Sequence, residues 1–270
     1  MYLYAFGGET KNFMKILCIG DVVSRAGREC VRTHLDNIIK EKNVDLVIAN
    51  GENLSHGRGM SRNTYDEMCS VGIDGFTLGN HTWNCKDIVN ILSYNDNVIR
   101  PANYPDSCPG KGSMILKTKS GEKVGIINIA GRTYMEAAGC PFDAVEKEIK
   151  KLSEQTKIIL VDFHAEATSE KQAMGWFLDG KVSAVYGTHT HVQTADETVL
   201  PKGTAYITDI GMTGAFYSVL GMERQPVIEK FRTGMPQKFT VADGKSKFCG
   251  CIIEVNTNGV ASNIERISIM

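Results

Sequence analysis

The chain lacks any apolar run near the length of about 20 residues that a membrane-spanning helix requires, and its start lacks a basic segment followed by an apolar core. Neither a membrane protein nor a secreted precursor is expected, and a cytoplasmic location follows from that reading. Charge of one sign is missing too. The 30 Lys+Arg and 31 Asp+Glu leave a net charge of -1, which excludes bulk binding to a nucleic-acid backbone as the main task. No Pro/Ser-rich linker divides the 270 residues, so one domain is expected. Residues 1–13 match nothing that follows, and Met14-Lys15 opens the first strand, so the domain is placed over 14–270 and 1–13 outside it. The eight cysteines contain no CxxC pair, and reduced thiols are expected. Cys249 and Cys251 stand apart from the other motifs and read as small strand residues.

The chain does contain apolar runs that each stop at a potential metal ligand. Residues 15–20 end at Asp21, 44–49 lead to Asn50-Gly51-Glu52-Asn53, 75–79 run into Asn80-His81, and 158–163 end at His164. A further run, 185–188, delivers His189 and His191, which a strand would project onto one face. In open α/β sheets, ligands collect outside the carboxyl ends of the strands, so residues far apart in sequence can converge there. Carboxylate, amide and imidazole together suit borderline divalent or trivalent cations. A shared metal centre is the economical explanation.

Each of these residues also has a plain structural reading. Asp21 can cap a helix, Asn53 and Asn80 can be turn residues, His164 can be a partnered core imidazole, and Glu52 a solvated loop acid. All of these must hold together for the metal centre to fail, and the joint pattern decides. His34 falls on the polar side of a helix and reads as exposed. His56 reads as a solvated loop histidine, with a substrate contact as the alternative. Arg100 and Asn103 are candidates for substrate contact, Arg100 either as a bidentate phosphate partner or in a structural ion pair. Glu166 is either a partner for a ligand histidine or a helix-start acid.

Periodicity predicts helices over 26–42, 63–71, 142–152 and 169–178, and another capped by Asn84 with Ile88, Ile91 and Leu92 on its buried side. A hairpin is expected over 112–130, turning at Ser120-Gly121. Residues 204–209 and 239–270 read as mostly β, with Asn258-Gly259 as a turn. Strand, loop and helix alternate without the regularity of a purely parallel sheet. Two mixed sheets packed face to face, with helices outside each, account for the pattern.

The ordered set Gly20-Asp21, Gly51-Glu52-Asn53, Gly79-Asn80-His81, His164 and Gly187-Thr188-His189-Thr190-His191 resembles the binuclear metallophosphoesterases of the calcineurin-like superfamily. It is closer still to the YmdB-like branch, the bacterial 2′,3′-cyclic-nucleotide phosphodiesterases, through residues 50–53, 100–105, 162–171 and 208–214. The resemblance covers 14–270 and implies a four-layer α/β/β/α sandwich. It also implies two metal ions, one held by Asp21, Glu52, Asn53 and His191, the other by Glu52, Asn80, His164 and His189. Iron is the first expectation, with manganese or zinc as other occupants. Two positions depart from the wider superfamily: Val23 stands where most members have a histidine, and Glu52 where most bridge their metals with aspartate. In the YmdB-like branch the neighbouring asparagine, here Asn53, compensates as a ligand.

The chemistry agrees with that division. A carboxylate and a hydroxide bridging two cations about 3.5–4 Å apart activate the nucleophile and clamp the oxygens of an in-line displacement at phosphorus. His81 follows a ligand without being counted as one, which leaves its ring free to protonate a departing ribose alkoxide. The expected substrate is a small nucleotide phosphodiester. A phosphomonoesterase or phosphoprotein phosphatase with the same centre stays open, as do a regulatory metalloprotein acting by partner binding and a homo-oligomeric state.

Overall fold

The computed structural model describes residues 13–270. The first strand already contains Phe13, opposite Asn256, one residue earlier than the sequence suggests; the expectation for 1–12 lies outside the described residues. The first half runs β1 (Phe13–Ile19), β2 (Asp21–Val22), α1 (Ser24–Lys42), β3 (Leu46–Asn50), α2 (Arg62–Val71) and β4 (Gly75–Thr77). A 3-10 turn (Thr82–Asn84), α3 (Ile88–Tyr94) and β5 (Val98–Ile99) follow. The second half begins with β6 (Ser113–Lys117), β7 (Lys123–Ala130), α4 (Pro141–Ser153), β8 (Ile159–His164), α5 (Thr168–Leu178) and β9 (Ala184–Thr188). It ends with β10 (Thr198–Val199), β11 (Ala205–Ile207), β12 (Met212–Ala215), α6 (Arg224–Thr233), β13 (Ser246–Asn256) and β14 (Ala261–Ile269).

Among the described residues the strands form two mixed sheets. The first has the order β2-β12-β13-β1-β3-β4-β5 with β14 on the other edge of β13, and the second β10-β11-β9-β8-β7-β6. Strand β1 shows why they stack. Its Ile16 and Cys18 meet Ile126, Leu160 and Tyr186 of the second sheet, whereas Leu17 and Ile19 meet Val31, Leu35 and Ile38 of α1. A strand apolar on both faces must be covered on both. The second sheet repeats the device, with Ile127, Val161 and Phe163 packed under Val145 and Leu152 of α4 and Met174 and Leu178 of α5. The four-layer α/β/β/α sandwich follows. Strands β1, β3, β4 and β5 run parallel in one sheet, and β7, β8, β9 and β11 in the other. Their carboxyl ends gather at one end of the molecule.

The helix expectations hold to within a residue or two, and α2 starts on a capping box in which Ser61 and Thr64 bond reciprocally. Four details differ. Asn84 does not cap α3; it ends the 3-10 turn, and Asp87 takes the cap position without a side-chain bond. The region 239–245 is not strand, and β13 begins at Ser246. Helix α6 carries no readable stripe because Val227 is its one buried residue. Strand β9 stops at Thr188, so His189 and His191 lie beyond it with φ of 95° and 62°. All eight cysteines are free thiols, Cys251 facing Cys18 across β13 and β1 in the core. Among the described residues no helix is long and apolar enough to cross a membrane.

A candidate metal centre at the strand ends

Seven side chains from both sheets converge beyond the strand ends. Asp21 opens β2 one residue after β1, Glu52 and Asn53 follow β3, Asn80 follows β4, His164 closes β8, and His189 and His191 occupy the turn after β9. Asp21, Glu52, Asn53 and His164 are buried to within 1%. The two histidines do not share one strand face as the sequence suggests, because the chain leaves extended geometry at His189. Left-handed backbone is costly for residues other than glycine, and here it is held from several sides. The His189 N–H donates to Asp21 Oδ2 at 3.1 Å. Thr190 donates its N–H and its hydroxyl to Asp209 Oδ2, at 3.2 and 2.8 Å. Asp209 is in turn paired with the buried ammonium of Lys171 at 2.6 Å, and that ammonium also donates to the Thr188 carbonyl at 2.7 Å.

The outer hydrogen bonds set which ring nitrogen faces inward. Thr188 Oγ1 donates to Asp162 Oδ1 at 2.7 Å and therefore accepts from His164 Nδ1–H at 2.9 Å. This leaves His164 Nε2 pointing into the cluster. His189 directs Nε2 at Glu166 Oε2, 3.1 Å away, and presents Nδ1 inward. His191 donates Nδ1–H to the Leu220 carbonyl at 3.1 Å and turns Nε2 toward Asn53 and Asp21. Glu166 thus takes the partner position of its two readings. Gly79 is needed beside this arrangement, since a β-carbon there would overlap the His164 ring.

The donor set fits cations. His164 Nε2 lies 2.9 Å from Asn80 Oδ1, 3.1 Å from His189 Nδ1 and 3.2 Å from Glu52 Oε1. One ring nitrogen carries at most one proton, so these facing lone pairs require positive charge among them. Burial disfavours charge on His164, yet Glu52 and Asp21 beside it raise its imidazole to about 9. Burial and the His164 charge together push His189 down to about 3. Burial also opposes ionisation of Asp21 and Glu52, but His191 and His164 beside Asp21, and His164 beside Glu52, hold both carboxyls below their ordinary values. Glu52, His164 and His189 satisfy the spacing of a three-ligand cluster. Asn53 aims Nδ2 at Asp21 Oδ1 and His191 Nε2, each 3.3 Å away, and a half-turn of the amide would put Oδ1 there for a cation.

His81 sits at the edge of this cluster. Its backbone N–H donates to Glu52 Oε2 at 2.7 Å, and its Nδ1 contacts Asn84 Oδ1 at 3.0 Å. Among the described residues its Nε2 has no hydrogen-bond partner. Arg100 and Asn103, in contrast, are spent on their own surroundings. The Arg100 guanidinium donates to the carbonyls of Pro101, Cys108 and Pro109 at 2.9–3.4 Å, so it shows neither a free fork for phosphate nor an ion pair. Asn103 clamps Ala130 from both sides, accepting from its N–H at 2.9 Å and donating to its carbonyl at 2.7 Å. Sequence reasoning missed Thr188 and Asp162 behind His164, and the Lys171–Asp209 pair behind the histidine turn. The polar residues of 162–171 and 208–209 are the signal that pointed there.

A four-layer sandwich whose two sheets deliver carboxylate, amide and imidazole to one end defines the metallophosphoesterase class of fold. The profile described as YmdB-like protein matches residues 17–267, and the chain belongs to that family. It is 45% identical over 257 residues to the 2′,3′-cyclic-nucleotide 2′-phosphodiesterase of Bacillus subtilis (strain 168), covering 95% of this chain and 97% of that one. A putative phosphatase/phosphodiesterase of Mycoplasma genitalium is 39% identical, covering 95% of this chain and 93% of its own. A crystal structure of a novel phosphatase from Mycoplasma pneumoniae superposes with a TM-score of 0.89 at 34% identity, covering 96% of this chain and 94% of that one. A hypothetical protein from Thermus thermophilus gives 0.88 at 42%, covering 94% and 98%.

Proposed function

We propose that the chain is a metal-dependent phosphodiesterase that opens 2′,3′-cyclic nucleotides. Asp21, Glu52, Asn53, Asn80, His164, His189 and His191 would hold two cations with Glu52 shared, iron ahead of manganese or zinc. The observation that carries this reading is the meeting of His164 Nε2, His189 Nδ1, Glu52 Oε1 and Asn80 Oδ1 within 2.9–3.2 Å of the first atom. The family and the name of the Bacillus subtilis relative support the substrate class. When bound, a cation pair supplies positive charge at the phosphoryl oxygens and an activated water as nucleophile.

The chain's own groups do the rest. Asp21 and Glu52 stay ionised despite burial and give the centre its negative charge. The bonds that the imidazoles donate to Thr188, Glu166 and Leu220 fix the three rings in the orientation that faces the reacting point. A ribose alkoxide is a poor leaving group, and His81 Nε2, held by the Nδ1 contact to Asn84, is the proton donor for it.

The second reading is a phosphomonoesterase or phosphoprotein phosphatase with the same centre, supported by the word phosphatase in the names of the Mycoplasma relatives. The two are separated by kcat/KM under the same metal and pH conditions. The 2′,3′-cyclic mononucleotides are expected to exceed any phosphopeptide by at least about tenfold, or about 1.4 kcal/mol in transition-state binding. Faster dephosphorylation of phosphopeptides would overturn the nucleotide reading and leave the metal centre standing.

A further inference from the structure

We propose that the cavity beside His191 is the subsite for the nucleoside part of the substrate, with Phe216 as the stacking surface for its base. The inference rests on the phosphodiesterase reading above. The cavity has a volume of about 570 Å³, and its walls include His191, Val192, Phe216, Leu220, Lys247 and Arg266. That is within the range of small-ligand sites.

Four observations place a nucleoside here. The first is continuity with the metal centre. The same imidazole that turns Nε2 toward Asp21 and Asn53 forms part of the cavity wall, and its Nδ1–H is anchored on Leu220 of that wall. A phosphate at the cluster therefore has one ring between it and the cavity. The second is apolar exposure. Val192, Leu220 and Phe216 are 59%, 46% and 39% exposed around one opening, the kind of surface a flat base covers.

The third is placement. The Phe216 backbone is fixed by its N–H donating to the Lys245 carbonyl at 2.8 Å, just after β12 pairs with β13, and its ring lies edge-on to Tyr217 with centroids 5.0 Å apart. An anchored backbone lowers the cost of ordering the ring against a base. The fourth is charge. Arg266 is occupied, 3.3 Å from Glu197 and donating to the Thr194 carbonyl. Lys247 makes no ion pair among the described residues, which leaves one positive charge in the wall to attract an anionic substrate.

The test compares 2′,3′-cyclic AMP with an abasic ribose 2′,3′-cyclic phosphate, which has the same reacting ring and leaving oxygen but no base. The unsubstituted protein is expected to favour the nucleotide in kcat/KM by about tenfold or more, in line with the contribution of one stacked base. Phe216→Ala should bring that ratio close to one, and Phe216→Trp should restore it. Trp83→Ala serves as the counter-test, because Trp83 and Tyr104 form another aromatic pair on the His81 side, with centroids 6.3 Å apart. A ratio unmoved by Phe216→Ala, or lost with Trp83→Ala instead, overturns the assignment. Failure of the unsubstituted protein to open either compound contradicts the phosphodiesterase reading itself, and the subsite falls with it.

Discussion

His81→Ala is expected to keep its bound metal and to lose about 10²–10⁴-fold in turnover of 2′,3′-cyclic AMP, the usual contribution of general acid catalysis. The substitution removes only the ring. The backbone N–H that donates to Glu52 remains, so the carboxylate proposed to be shared by the cations keeps that hydrogen bond. A substrate that departs as p-nitrophenolate leaves without needing a proton and should lose far less. Metal content per chain, measured beside turnover on both substrates, checks each part of the expectation. Equal losses on the two substrates would remove His81 from the acid role, and loss of metal would make it a ligand.

The second large effect lies behind the histidine turn. Lys171 is 1% exposed and pairs with the buried Asp209, which holds Thr190 between the two histidines. Breaking a buried ion pair from one side leaves the other charge uncompensated, and Lys171→Met is expected to cost about 3–5 kcal/mol of folding stability. Pairing it with Asp209→Asn, which removes the stranded charge and keeps an acceptor for Thr190, should recover most of that loss. Urea unfolding midpoints at constant slope measure both. A single variant within about 1 kcal/mol of the unsubstituted protein would show that the pair contributes little.

The strand ends were the legible part of this chain. Runs such as 44–49 and 158–163 must be strands because they are apolar, short and bounded by polar turns, and parallel strands bring their carboxyl ends together wherever they sit in sequence. Strand ends place Asp21, Asn50, Glu52, Asn53, Asn80, His81, His164, His189 and His191 near one another, and the resemblance to the YmdB-like branch singles out seven of them as ligands. Local geometry was not legible. His189 and His191 face the centre because two left-handed residues bend the chain, and the modest enrichment of histidine at positive φ is too weak a signal to locate such a bend. Asn84 has the chemistry of a helix cap, yet its side chain meets His81, since a short 3-10 turn intervenes before α3. Arg100 and Asn103 looked like ligand contacts because exposed polar loop residues often are. In the fold they are 5% and 6% exposed and serve carbonyls and backbone. Lys171 reads as one more charged residue on a helix, and only the approach of β9 and Asp209 shows that it is buried. Helix α6 has no apolar periodicity to read, because Val227 is its one buried residue.

The proposed metal centre depends most on Glu52, the carboxylate that touches His164, receives the His81 N–H and lies beside Asn53. The direct measurement is elemental analysis of purified protein and its Glu52→Ala variant, each assayed on 2′,3′-cyclic AMP. A shared bridging carboxylate predicts about two ions per chain in the unsubstituted protein, and loss of metal and activity together in the variant. Two ions per chain retained in Glu52→Ala would contradict it.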